Sequence, residues 1–441
     1  MNKIYRAALI VIILFNACEM RVKRDMRFAP AGTGNYKICD FQTFHDIYVT
    51  GAFELSCVTA HYDNSFHLRW FTNYQPRSVT SAVGKALLIQ PPGISSGDPG
   101  LYVLVQSVDN AGFNNLVLLK YDTLGNFLFE KAVEKSTEEI SGGLQSGYGN
   151  GVYVVGYAAD KKDSNRIFIH KYAASGEPTG TRVYRNPTLR FRALKWERDA
   201  KNGFLAGGVS DSDEDLFFIR FDSLGEFQTL TRYENPEAEI NLVDIKTDER
   251  GNIVMAAASA GDKTGKDYLT VAFGSDNKLL WAKRYDGTAH KDDVPRALIV
   301  DDKSNVYVTG ASTAENGRTE IVTFSYDCAG NEKWSARYNA PGDQNAEPYY
   351  FEPLYAGSQY IGQHDQPTLT LTGIQGKEAL ILKYKLSDGV ALLKYGVPGR
   401  FCRPVGITSR YLLINITGGE KSEAAILSYG PFEIPGIKRW D

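Results

Sequence analysis

Apolar runs of five to eight residues, each closing on Tyr or Phe, recur eight times along the chain. They are Val58–Tyr62, Leu116–Tyr121, Ile167–Tyr172, Leu216–Phe221, Tyr268–Phe273, Ile321–Tyr326, Ala379–Tyr384 and Ala424–Tyr429, with closing aromatics 45 to 59 residues apart. Most are followed by a turn signal, as in Asp122-Thr123-Leu124-Gly125-Asn126, Ser175-Gly176, Asp222-Ser223-Leu224-Gly225, Asp327-Cys328-Ala329-Gly330-Asn331 and Asp388-Gly389. Such residues tolerate the left-handed backbone of tight hairpins. A second strand then ends in Tyr, with Trp four residues earlier in Trp70–Tyr74, Trp281–Tyr285 and Trp334–Tyr338. Ahead of the runs lie Ile47–Gly51, Gly151–Gly156, Gly203–Gly207 and Asn305–Gly310, and before the last of these a shorter strand, Ala297–Val300. Each unit therefore reads as four strands joined by turns. The apolar character of both strand faces fits sheets buried between neighbouring sheets. Four-stranded units of about fifty residues stacked radially predict an all-β fold, a β-propeller of antiparallel blades.

Eight copies favour eight blades; the alternative is seven, with the first and last units sharing one closing blade. The innermost strand of the first unit is expected near Lys37–Phe41, and the fourth strand of the last at Gly436–Trp440. The unit Val294–Tyr338, with Asn305–Gly310, Thr323–Asp327 and Gly330–Trp334, resembles the bacterial "seven-bladed β-propeller" (SBBP) repeat, over roughly residues 40–430. The resemblance implies a secreted or surface bacterial protein and informs fold more than function.

The N-terminus changes the picture from fold to address. Lys3 and Arg6 flank an apolar run, Ala7–Phe15, too short to cross a bilayer core of about 30 Å. It reads as the apolar region of a secretory signal over residues 1–17. Its end, Leu14-Phe15-Asn16-Ala17-Cys18, resembles a bacterial lipoprotein signal, which implies lipidation of Cys18. Residues 18–35, with Arg21, Lys23, Arg24 and Arg27 and then Pro30, Gly32 and Gly34, read as a flexible tether near lipid headgroups; residues 36–441 form the propeller. Loss of residues 1–17 shifts the net charge from −3 to −5, so no basic face for nucleic acid is expected. Cys39, Cys57, Cys328 and Cys402 remain, four thiols that allow three disulfide connectivities. Their spacing is no metal signature, and neither metal nor cofactor is expected.

Several local patterns touch chemistry. Gly93-Ile94-Ser95-Ser96-Gly97 matches G-x-S-x-G, but prolines and glycines surround it and no helix follows, so it reads as a loop. Asp211-Ser212-Asp213-Glu214-Asp215 reads as a solvated acidic loop. The repeated Asp122, Asp222 and Asp327 are expected to brace their turns, and the Trp-x-x-x-Tyr pairs to pack blade against blade. The one departure from the repeat is Ala346–Gln366, which holds Tyr349, Tyr350, Phe351, Tyr355, Tyr360 and His364 among Pro and Gly. Tyr-rich, Gly/Pro-punctuated segments suit recognition. The plainer reading is that Tyr349–Leu354 is an inner strand. Tyr349, Tyr350, Tyr355, Tyr360 and His364 are the candidate binding residues, with Asp286–Asp293 as a flanking acidic rim. The expected function is non-catalytic: a monomeric, lipid-anchored propeller of the outer membrane that binds a protein or glycan through its loops. The alternatives are an enzyme acting on glycans or peptides in the channel mouth, and an envelope-assembly scaffold.

Overall fold

The computed structural model describes residues 24–28, 35–44, 46–76, 79–90, 100–146, 151–160, 163–186, 191–210, 215–234, 239–261, 264–352, 368–385, 390–395, 401–407, 411–417 and 422–428. Eight four-stranded antiparallel sheets form an eight-bladed propeller. The innermost strands, blades one to eight, are Tyr36–Phe44, Val79–Gln90, Glu139–Ser146, Phe191–Arg198, Ile240–Thr247, Asp293–Val300, Ala346–Phe351 and Phe401–Ile407. Seven blades run from inside to outside in chain order.

Blade eight closes the ring differently. Its outermost strand is Arg24–Phe28, paired antiparallel with Glu423–Ser428 from Arg24↔Ser428 to Phe28↔Ala424. This corrects two expectations at once: residues 24–28 are not tether, and they occupy the edge expected of Gly436–Trp440, which lies outside the described residues. The physical reason is that an outermost strand needs no apolar run. Glu332–Tyr338 and Leu68–Tyr74, outermost in their own blades, alternate exposed and half-buried positions. Arg24–Phe28 could therefore pass for a polar linker. Pairing the two ends of the chain in one sheet also joins the first and last blades without a covalent link.

The middle strands carry the core. Every residue of Leu216–Phe221 and Phe204–Ser210 is buried. Sheets interlock face to face: Leu205, Phe218, Leu242, Ile245, Met255 and Val271 form one cluster between blades four and five. Each such side chain contributes about 1.5–3 kcal/mol on full burial.

The outer aromatics pack between blades, as expected. Trp70 Nε1 donates to the Thr123 carbonyl at 3.0 Å in the next blade's turn, and Trp281 Nε1 donates to the Cys328 carbonyl at 3.2 Å. Trp334 stacks on Tyr384 with centroids 5.7 Å apart. The turn aspartates act as braces. Asp327 Oδ1 accepts from the amides of Ala329 (2.9 Å) and Asn331 (2.8 Å), and Oδ2 from Asn331 Nδ2 (2.9 Å). Asp122 makes the same three bonds, and Asp222 accepts from Leu224 and Glu226. Cys39, Cys57, Cys328 and Cys402 are all free thiols.

Candidate functional site in the channel

Inner strands of neighbouring blades touch around most of the ring, and their free edges line the central channel. In seven of the eight the pairing register slips mid-strand, at Ile38/Asp40, Gly84/Ala86, Arg192/Lys195, Leu242/Asp244, Pro295/Ala297, Pro348/Tyr350 and Pro404/Gly406. A bulge leaves a residue out of the ladder and re-aims its side chain. The bulged Lys85 and Arg296 are exposed, and Cys39, Val243, Tyr349 and Val405 are half-buried.

On blades six to eight this geometry gathers a patch. Arg403, exposed, lies over the Tyr349 ring with its Cζ 5.2 Å from the centroid. Tyr350 is 41% exposed, its ring 6.3 Å from that of Tyr349. Arg296 Nη2 stands 3.9 Å from Glu347 Oε2, a loose pair. Burial raises the Tyr349 phenol, and Arg403 and Arg296 both act against that rise while Glu347 adds to it. Tyr350 is likewise raised by burial, opposed by Arg403 and reinforced by Cys39 and Asp40 of blade one. A ring that water reaches from one side while protein crowds the others is the expected state of a channel lining. The Cys39 thiol is raised by burial, and Lys37 and Lys85 act against it. The field of the patch thus spans blades six, seven, eight, one and two.

Its carboxylates are mostly spent. Asp40 is pushed up to about 6 by burial, although Oδ2 accepts from the Leu87 amide at 2.7 Å and Oδ1 from the Phe41 amide at 2.8 Å. With Gln42, which donates to the Leu87 carbonyl and accepts from the Ile89 amide, it laces blade one to blade two. Across the channel the charges cancel locally: Lys246 Nζ meets Glu197 Oε2 at 3.0 Å and Asp244 Oδ1 at 3.1 Å. Among the described residues Arg403 and Lys85 pair with no carboxylate.

Tyr349 and Tyr350 therefore sit on an inner strand, where the plainer sequence reading put them, and still face the channel. Tyr355, Tyr360 and His364 lie outside the described residues, as do Gly93–Gly97 and Asp211–Glu214. The segment Asp286–Asp293 is not a simple rim. Asp267, Asp286 and Asp293 each bring a carboxylate oxygen within 4.8 Å of the others, and Asp293 is fully buried. Arg284 donates to Asp267 at 2.7 Å, the Gly287 amide to Asp293 at 2.6 Å, and His290 pairs with Asp286. A surface cleft of about 580 Å³ beside blade two lies apart from the channel; its Lys135 pairs with Asp109 at 2.9 Å.

Sequence reading missed Arg296 and Arg403. One signal was present: Pro295-Arg296, Pro348-Tyr349 and Pro404-Val405 each place proline just before the bulged residue. Proline has no amide to give the ladder and suits a bulge.

The fold is that of an eight-bladed β-propeller. No family model and no curated protein matches the chain. Solved structures similar to it include the WD40 domain of SCAP from fission yeast, at 9% identity and TM-score 0.49, covering 92% of this chain and 95% of that one. A PL25 ulvan lyase matches at 11% identity and TM-score 0.46, covering 85% and 96%. A puromycin hydrolase mutant matches at 9% identity and TM-score 0.47, covering 87% of this chain and 58% of that one.

Proposed function

We propose that this chain is a non-catalytic propeller of the bacterial envelope, held by lipid on Cys18, that binds an acidic glycan at its channel. The observation that carries the reading is the Arg403 guanidinium over the Tyr349 ring beside Tyr350, with Arg296 of the neighbouring inner strand loosely paired to Glu347 and its charge acting on Tyr349. A guanidinium fork suits carboxylate or sulfate, and a tyrosine ring beside it suits the apolar face of a sugar. Lys85 and Lys37 extend the positive field to blades one and two. The non-catalytic reading is supported by the groups best placed to react. Asp40 has both oxygens engaged by backbone amides, and burial keeps the Cys39 thiol protonated.

The test is calorimetric titration with polygalacturonate and with neutral dextran. Acidic polymer should bind and dextran should not, with R296A/R403A weakening binding at least tenfold and Y350A several-fold. Equal affinity for both polymers, or an unaffected double variant, overturns the reading. Binding of an acidic peptide in place of the polymer would make the partner a protein. Release of new reducing ends during the titration would make the chain an enzyme.

A further inference from the structure

We infer that the propeller rests on the membrane with one particular face, the face formed by the turns between third and fourth strands. The inference rests on lipidation of Cys18 proposed above.

The closing strand sets the exit. Arg24 pairs with Ser428, the last residue of blade eight's third strand. In the other blades the chain turns at this end from third strand to fourth, as at Asp122–Asn126, Asp222–Glu226 and Asp327–Asn331. The chain upstream of Arg24 therefore leaves from this face. Only six residues, Cys18 to Lys23, separate the lipid attachment point from the strand. At 3.3–3.6 Å per residue they reach about 20 Å when fully extended. A tether running to residue 35 would reach about 60 Å and leave the ring free to take any attitude.

The same face presents apolar side chains to solvent. Leu124 is 76% exposed and Leu224 65%, both at turn tips, and Phe127, Leu128, Phe227, Leu279 and Leu280 open the outermost strands beside such turns. On the opposite face, Leu55 is exposed in the turn between second and third strands of blade one. The turns also carry Asp122, Asp222, Asp276 and Asp327, so attraction to anionic lipid does not drive the docking. The occupant is the lipid surface that holds the chain's own anchor, met by leucine and phenylalanine at headgroup depth.

A native thiol reports on this face. Cys328, in the blade-six turn, is exposed, and Cys57 and Cys402 are buried. Lipidated full-length protein on phosphatidylcholine vesicles is treated with a water-soluble maleimide, and labelling at each cysteine is read by peptide mass spectrometry, in wild type and in L55C. Flotation of the vesicles is measured alongside. The expected result is flotation, with Cys328 labelled at least fivefold more slowly than in the Cys18→Ser protein and L55C labelled equally fast in both. L124D/L224D should still float and regain fast labelling at Cys328. Flotation with unprotected Cys328, or with protection at L55C, overturns the facing while leaving the anchor intact. Failure of wild type to float overturns the anchor, and the facing with it.

Discussion

Replacing Gly330 with Ala tests how one blade locks onto the next. Gly330 lies in the blade-six turn at φ +81°, and a Cβ there would stand 2.6 Å from Trp281 Cγ and 2.8 Å from Cδ2 of blade five. Two costs add. Holding Ala in left-handed backbone costs about 1–2 kcal/mol, and forcing a methyl group into a packed ring about 1–3 kcal/mol. Gly317, in another turn of the same blade, separates them. Its φ is +80°, and a Cβ there meets nothing within 4 Å. G317A should therefore cost about 1–2 kcal/mol and G330A about 2–5 kcal/mol. In a W281A background, itself costing about 3–5 kcal/mol, G330A should fall to the cost of G317A. Urea unfolding followed by far-ultraviolet circular dichroism reads the three differences without depending on tryptophan fluorescence. Equal costs for G330A and G317A, or a G330A cost that W281A leaves unchanged, would refute the seating of Trp281 on the turn.

Two further outcomes follow from individual side chains. Burial alone would raise Glu134, yet the Arg166 guanidinium, 3.0 Å from Oε1, and the His170 ring, with Nε2 3.6 Å from Oε2, hold it down to about 2. A carboxylate depressed in the fold adds stability that is present above its unfolded value near 4.5 and lost as pH falls toward 2. E134Q should flatten the acid limb of the stability curve in that window, and an unchanged limb would show that the trio does not couple to folding. D327A removes three hydrogen bonds from its turn. It should lower the urea midpoint, and D327N should recover the part carried by one remaining acceptor oxygen; an unchanged midpoint in D327A would mean the glycine alone shapes the turn.

What the sequence determined by itself is local and repeated. Eight apolar runs with their turn residues specify eight sheets, because strand burial and hairpin geometry are encoded within about fifty contiguous residues. Asp122, Asp222 and Asp327 brace turns two and four residues ahead, and Trp70 and Trp281 lie one repeat from the turns they seat on, so periodicity exposes both. The tertiary structure alone decided what depends on contacts outside the repeat. Arg24–Phe28 becomes a strand because blade eight lacks an outer edge, and nothing in those five residues announces a partner some four hundred positions away. Arg296, Tyr349 and Arg403 stand in three successive blades and share no local pattern beyond a proline near each. They come together because a closed ring turns its inner edges onto one axis, with bulges re-aiming Arg296 and Tyr349 while Arg403 stays paired with Asn415.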